Sequence, residues 1–160
     1  MIHRRQRGIS IIESLVALVV ISVGMLGIAG LYLSSLQASR TAKLRAGAVE
    51  LVGSLADRIR ANRDAATAYN TSAYGGAPAT QGCDTATRCS AAALAQDDLA
   101  RWLTELKAGL PGGTAVTGTV VVTDRARPLS DNYLITVQWK ESDADINYNY
   151  VLSLNIANPL

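Results

Sequence analysis

The feature that most constrains this chain is a run of 26 residues, 14–39, that contains no charged side chain. About 20 mostly apolar residues are enough to cross a bilayer as a helix. Glu13 stands directly before the run, and a carboxylate at the edge of such a segment is costly in hydrocarbon. The run therefore predicts a membrane-spanning helix in which Glu13 has a specific electrostatic role.

A short basic segment precedes the run, with three arginines in residues 1–7 followed by Gly8. A secretory signal also joins basic residues to an apolar stretch, but that stretch is usually about 7–15 residues long and ends in a small-residue cleavage site. Here the apolar stretch is longer, and the small residue Gly8 lies before it. Cleavage after Gly8 would keep the apolar helix and expose Ile9 as the new amino terminus. The alternative is a plain single-pass anchor in which Gly8 and Glu13 have no role.

Residues 7–18, with the sequence RGISIIESLVAL, resemble the class III signal of type IV pilins and type II secretion pseudopilins. In that family a prepilin peptidase cuts after the glycine on the cytoplasmic side and methylates the new amino terminus. The resemblance implies cleavage between Gly8 and Ile9, methylation of Ile9, and a role in filament assembly for Glu13. The family usually has Phe or Met where this chain has Ile9, which is also apolar.

Two partners for Glu13 are chemically reasonable. An unpaired carboxylate in hydrocarbon must be neutralised or paired. Cleavage would create an ammonium at Ile9, which a neighbouring subunit could present to Glu13. The ammonium of the same chain lies one helical turn away and is the second candidate. The sequence leaves both open.

Gly24, Gly27 and Gly30 recur every three residues within the uncharged run. Small residues on one face let transmembrane helices approach closely, so these glycines predict a packing face. Each glycine also weakens a helix by about 1 kcal/mol relative to alanine, which makes partial unwinding inside a filament a second interpretation. Chance composition of a lipid-facing helix is the third.

The helix is expected to continue beyond the uncharged run, because no proline occurs in residues 9–63. Apolar positions follow the helical period, which predicts a stripe that packs on a globular domain. The stripe comprises Leu44, Ala48, Leu51, Leu55 and Ile59, with Val52 beside it. We expect four regions: a cleaved leader (1–8), a transmembrane and assembly helix (9–39), the exposed amphipathic half of that helix (40–64), and a periplasmic pilin-like domain (65–160).

Residues 56–63, with the sequence ADRIRANR, narrow the resemblance. Together with residues 14–20 and 24–27 they are most similar to the PilV group of minor pilins, the type IV pilus modification proteins. The three arginines of this segment, Arg58, Arg60 and Arg63, favour the negative end of the helix dipole. They are interpreted first as a solvated helix end and second as a contact with another pilin. Nucleic-acid binding is disfavoured because no aromatic residues alternate with them.

Residues 64–90 are small, polar and rich in turn formers, which predicts a loop. The two cysteines of the chain, Cys83 and Cys89, lie in this segment. An exported domain faces an oxidising compartment, so a structural disulfide is expected. Two thiolates alone make a poor zinc site.

The rest of the chain predicts one helix followed by three strands. The helical pattern covers residues 91–107, and the β-branched and aromatic segments are 114–123, 133–140 and 148–156. The economical arrangement is a three-stranded antiparallel meander on the long helix, an α+β fold with one short extra helix. Trp102 and Trp139 are expected to anchor its core.

Nothing in the sequence predicts an enzyme, a cofactor or a metal. The one histidine, His3, lies in the leader, which excludes histidine-based triads from the processed chain. Asp97 and Asp98 are interpreted as a solvated helix face. Asp143 and Asp145 fit a turn better than a calcium loop.

The charge pattern does not decide the membrane orientation. Removing the leader lowers the formal net charge from +2 to −1, because three arginines are lost. Arg40, Lys43 and Arg45 follow the uncharged run, so basic residues flank it on both sides. The cytoplasmic position of the leader is therefore implied by the resemblance alone.

The family resemblance implies a minor pilin of a type IV pilus, held in the inner membrane with a periplasmic domain. It would then enter a complex that initiates pilus assembly or forms the tip, with a role in adhesion and motility. Its implied partners are other minor pilins, the major pilin, the inner-membrane assembly platform, the prepilin peptidase and membrane lipid, with no nucleic acid. A minor pseudopilin of a type II secretion system is the first alternative. A membrane-anchored periplasmic binding domain, with an uncleaved leader, is the second.

Overall fold

A computed structural model describes residues 10–83, 88–123, 130–141 and 147–157. The chain divides into two compact units, the first ending at Ala42 and the second beginning at Lys43. The calcium-loop candidates Asp143 and Asp145 lie outside the described residues, as do Gly8 and Ile9.

Helix α1 extends from Ile11 to Ala61 without interruption. The predicted apolar stripe is confirmed, because its central positions are fully buried within the second unit. Leu44 and Leu51 at its margin are half-buried. The buried positions are Ala48, Val52, Leu55, Ala56 and Ile59. Their spacing of three and four residues places them on one side of the helix.

The segment after α1 is more ordered than the sequence predicted. Two short 3₁₀ helices, Arg63–Tyr69 and Thr71–Tyr74, occupy the start of the expected loop. Ala66 joins two turns of the first at a positive φ of 42°. Tyr69 is fully buried. The loop prediction is therefore wrong over this part, because one large aromatic side chain holds the segment on the core.

Helix α2, Ala91–Gly109, confirms the predicted helix and extends it by two residues. Ser90 caps its start by accepting the N–H of Ala93 over 3.2 Å. Near its middle, the Nε1–H of Trp102 donates to the backbone oxygen of Leu51 over 3.0 Å. This bond fixes α2 against the second half of α1, and Trp102 is a core residue as predicted.

The three predicted strands form one antiparallel sheet with the order β1-β2-β3, which confirms the meander. They are β1 (Thr117–Thr123), β2 (Ser130–Lys140) and β3 (Asn147–Ala157). β1 starts three residues later than predicted because Gly113–Ala115 form a 3₁₀ turn. β2 starts three residues earlier than predicted. The pairing Val120–Ile135–Leu152 crosses the middle of the sheet.

The core lies between the inner face of the sheet and the two helices. Alternate residues of β2 are buried there, as expected for a sheet with one covered face. Gly118 of β1 lies against α2. A Cβ at this position would lie 2.6 Å from Leu106 Cδ1 and 2.7 Å from two ring carbons of Trp102. Only glycine fits this position without displacing its neighbours.

Candidate functional site

The first unit of the chain presents an apolar helical surface. The uncharged run lies wholly within α1, and its large side chains are exposed on all sides of the helix. α1 is long and apolar enough to cross a membrane, judged by length and composition. A soluble monomer rarely exposes so extensive an apolar surface, so this segment requires lipid or protein partners.

Glu13 lies in the first turn of α1 and is exposed. Its N–H donates to the oxygen of Ser10 over 3.0 Å, so its backbone is already part of the helix. Within the described residues no cation pairs with its carboxylate. The start of a helix carries partial positive charge and favours an acidic side chain there. Glu13 is thus an isolated carboxylate beside an uncharged apolar surface.

The three glycines of the uncharged run form an open stripe. A Cβ atom placed on Gly24, Gly27 or Gly30 would meet no atom within 4 Å. At about 100° per residue they lie within one third of the helix circumference. α1 is continuous through them, so the structure contains no unwound segment here. Their role as a packing face stays a prediction.

The hydroxyl of Ser22, a polar group within the uncharged run, is satisfied inside the helix. Its Oγ donates to the oxygen of Val19 over 2.8 Å. Such a bond lets a hydroxyl enter an apolar environment without a free donor. The hydroxyl of Ser22 is therefore compatible with hydrocarbon.

The arginines at the end of α1 are partly engaged within the domain. Arg58 donates through Nη2 to both carboxylate oxygens of Glu105, at 2.8 and 3.1 Å. Arg60 pairs with Asp57 on the surface of α1. Arg63, which begins the first 3₁₀ helix after α1, is exposed and lies outside these two pairs. Two of the three cations are thus neutralised locally, which supports the interpretation as a helix end.

Asp97 is not a solvated residue, contrary to the sequence interpretation. It is 2% exposed and accepts the backbone N–H groups of Gln81 and Gly82 at 2.7 and 3.1 Å. Its second oxygen accepts from Nε of Arg101 over 2.7 Å. Burial acts to raise the pKa of Asp97, but these three donors outweigh it and lower the pKa. The carboxylate therefore stays ionised and holds the preceding loop on α2.

Asp98 also has a specific partner. Its Oδ2 accepts the hydroxyl of buried Tyr69 over 2.7 Å. Burial is the larger cause that raises the pKa of Tyr69 above its ordinary value, and the bond to Asp98 raises it further. Asn62 donates to the same hydroxyl over 3.2 Å and to the backbone oxygen of Ala91 over 2.9 Å. This network joins the end of α1 to the start of α2.

Cys83 and Cys89 form the predicted disulfide. The bridge directly follows Gly82, whose N–H is bound by Asp97. A covalent link and a buried carboxylate therefore hold neighbouring parts of one loop. Together they hold the described residues on both sides of residues 84–87, although this segment has little apolar surface.

Trp139 also lies in the core, as predicted, and is 2% exposed. Its ring stacks on that of Tyr148, with centroids 5.7 Å apart. The guanidinium carbon of Arg45 lies 5.6 Å from the centroid of Tyr148, within the range of a cation–π contact. This cluster connects the end of the sheet to α1.

Two family models match the chain. Residues 3–29 match the prokaryotic N-terminal methylation motif, and residues 30–100 match type IV pilin Tt1218. No curated protein and no solved structure matches it. The chain is thus similar to a type IV pilin over the later part of α1 and the first part of α2, and its N-terminal residues match the methylation motif. Its α+β fold, with a long first helix and a three-stranded sheet, is pilin-like.

Proposed function

We propose that this type IV pilin-like chain is a minor pilin. In this proposal it is made as a prepilin, cut between Gly8 and Ile9, methylated on Ile9 and built into a type IV pilus. The observation that carries the proposal is the exposed Glu13 at the edge of the uncharged helix, inside the matched methylation motif. The same match supports processing by a prepilin peptidase.

Glu13 would select correctly processed subunits in the correct axial position. A carboxylate in hydrocarbon is strongly disfavoured unless a cation or a proton neutralises it. The ammonium created at Ile9 is available only after cleavage. A neighbouring subunit that offers this ammonium would therefore dock favourably in one register, and the bond within one chain is the competing arrangement.

The glycines of the uncharged run would supply close contact in the assembled filament. Gly24, Gly27 and Gly30 have open space around them in the single chain. In lipid, van der Waals packing between small residues is a main source of helix association. Neighbouring pilin helices are the proposed partners of this stripe.

The proposed location changes during assembly. The uncharged helix would hold the chain in the inner membrane, with residues 65–160 in the periplasm, until the subunit enters the pilus. The partners are other minor pilins, the major pilin and the inner-membrane assembly platform, with lipid before assembly. The described contacts of Arg58 and Arg60 give no support for nucleic-acid binding. We propose no catalytic activity.

A pilus role is favoured over a secretion role by two similarities. Residues 30–100 match a type IV pilin, and residues 56–63 resemble the PilV group. A minor pseudopilin of a type II secretion system shares the leader and the fold, so it is the second candidate. A membrane-anchored periplasmic binding domain is the third, but an exposed Glu13 has no evident purpose in it.

The deciding experiment deletes the chromosomal copy in the native cells and restores it on a plasmid. Surface pili are counted by electron microscopy, and secreted enzymes are measured in the same cultures. The proposal expects few pili and normal secretion without the chain, and its presence in the sheared pili of restored cells. Normal pili with blocked secretion would establish the pseudopilin role instead.

A further inference from the structure

The two edges of the sheet differ in their hydrogen bonding. At the β1 edge, Oγ1 of Thr71 accepts the N–H of Val120 over 3.0 Å and donates to the oxygen of Val120 over 3.1 Å. One side chain thus occupies both backbone groups at the middle of this edge. A further strand could not pair there without displacing Thr71.

The same contact fixes the direction of the backbone groups across the sheet. Val120 directs its N–H and C=O away from β2, so its partner Ile135 must direct its own groups toward β3. Ile135 pairs with Leu152, which therefore bonds to β2. The alternate residues of β3 direct their N–H and C=O groups outward. These are Asn147, Asn149, Val151, Ser153, Asn155 and Ala157.

The residues of β3 themselves lack the usual protection of an edge strand, although Arg45 of α1 lies over Tyr148 near its start. In the described part of the chain, β3 is the last strand on its side of the sheet. Natural edges are commonly protected by charged residues, proline or bulges. Residues 147–157 contain no charged residue and no proline, and their pairing with β2 continues without a bulge. The outer edge of β3, which is 11 residues long, is therefore an open template for strand pairing.

The side chains of β3 define what a partner strand would need. On the inner face, Tyr150 and Leu152 are only half-buried, so an added apolar side chain would cover them. On the outer face, Val121, Leu134 and Val151 are 50%, 40% and 47% exposed. Val121 lies opposite Leu134, and Val151 lies diagonal to it on the next strand. A complementary strand is uncharged, with apolar residues on alternate positions.

We propose that β3 is the docking edge for an extended, uncharged strand from a neighbouring pilin-class subunit. The added strand pairs with the outward backbone groups of β3 and makes a fourth strand of the sheet. The identity of the neighbour rests on the proposed function. The surface itself follows from the blocked β1 edge, the open β3 edge and the incompletely covered side chains of β3.

Two substitutions in the full-length chain block this edge in different ways. Ser153→Pro removes one outward N–H while leaving the backbone bonds between β2 and β3. It also removes the bond from Oγ of Ser153 to Oδ1 of Asn132, as Ser153→Ala does. Val151→Lys places a charge beside the edge. Ser153→Ala and Thr119→Lys are the controls, since the first keeps the N–H and the second puts the same charge on the same face of β1. Each variant is measured in membranes and in sheared pili, after circular dichroism confirms folding.

We expect both blocking variants to fall at least tenfold in sheared pili relative to their controls, at equal membrane levels. A photo-crosslinking residue at Asn149 should also join β3 to a peptide of another subunit with a class III signal. Equal recovery of all four variants would overturn the docking edge and leave the proposed function intact. Absence of the wild-type chain from sheared pili would overturn both the docking edge and the proposed function.

Discussion

The carboxylate of Asp97 accepts the backbone N–H of Gln81 over 2.7 Å, although the two residues are 16 positions apart. Gly82 donates to the same oxygen, and Cys83 follows it in the chain. A buried charge on α2 therefore positions the two residues directly before the disulfide cysteine. Three donors surround the carboxylate, which satisfies the requirement for a buried ion.

This relationship predicts a dependence of stability on pH. The folded pKa of Asp97 is lowered, so the carboxylate contributes to the free energy of unfolding above its unfolded pKa of about 4. This contribution is lost as the pH falls through the folded value. Asp97→Asn should reduce the free energy of unfolding at pH 7 by about 2 kcal/mol and should weaken the acid dependence below pH 4. Urea unfolding across pH measures both. Asp57→Asn, on the exposed face of α1, is the control and should change little.

The disulfide should contribute measurably to stability. The bridge closes a short loop, with a sequence separation of 6. The loop-entropy model gives about 2 kcal/mol for a loop of this size. Cys83→Ser and the reduced wild type should therefore melt at the same lowered temperature. An unchanged melting temperature in either sample would argue that the bridge has no structural role.

Gly118 should tolerate no side chain. Gly118→Ala would drive a methyl group into the ring of Trp102 and a methyl group of Leu106. Overpacking of this kind costs roughly 1–3 kcal/mol. Gly76→Ala is the matched control, because a Cβ there meets no atom within 4 Å. Thermal unfolding followed by tryptophan fluorescence should give a lower melting temperature for Gly118→Ala than for Gly76→Ala. Identical melting curves would show that β1 can move away from α2.

Much of the fold could be predicted from local patterns. The helical period at Ala48, Val52 and Leu55 and the β-branched strands are properties of short segments, and the structure confirms them. The role of Asp97 could not be predicted, because its partners lie in a loop that has no periodicity. The burial of Tyr69 could not be predicted either, because Tyr69 lies in a segment without periodicity and its hydroxyl partners, Asp98 and Asn62, are distant in the sequence or outside the helices.

Some features of the candidate site could be predicted from the sequence, and others needed the structure. The uncharged run and Glu13 are visible in the sequence because charge is scarce there. The open β3 edge is not visible, because residues 117–123 of β1 are also uncharged. Among the described residues, the contact between Thr71 and Val120 distinguishes the two edges.

Glu13→Ala tests the assembly role of the carboxylate. We expect the variant to insert in the membrane at the wild-type level, since the substitution makes the helix more apolar. It should fall at least tenfold in sheared pili, because the cation-binding group is lost. Glu50→Ala removes an exposed carboxylate from the same helix and should assemble normally. Recovery of the Glu13 variant at the level of the Glu50 variant would contradict the proposed role.

The most direct test of the central claim is the intact mass of the membrane-extracted chain from cells with and without the prepilin peptidase. The account predicts loss of residues 1–8 and gain of one methyl group in cells that contain the peptidase. In cells that lack it, the full chain should remain. An unprocessed chain in both strains would contradict the pilin function and leave a membrane-anchored domain in its place.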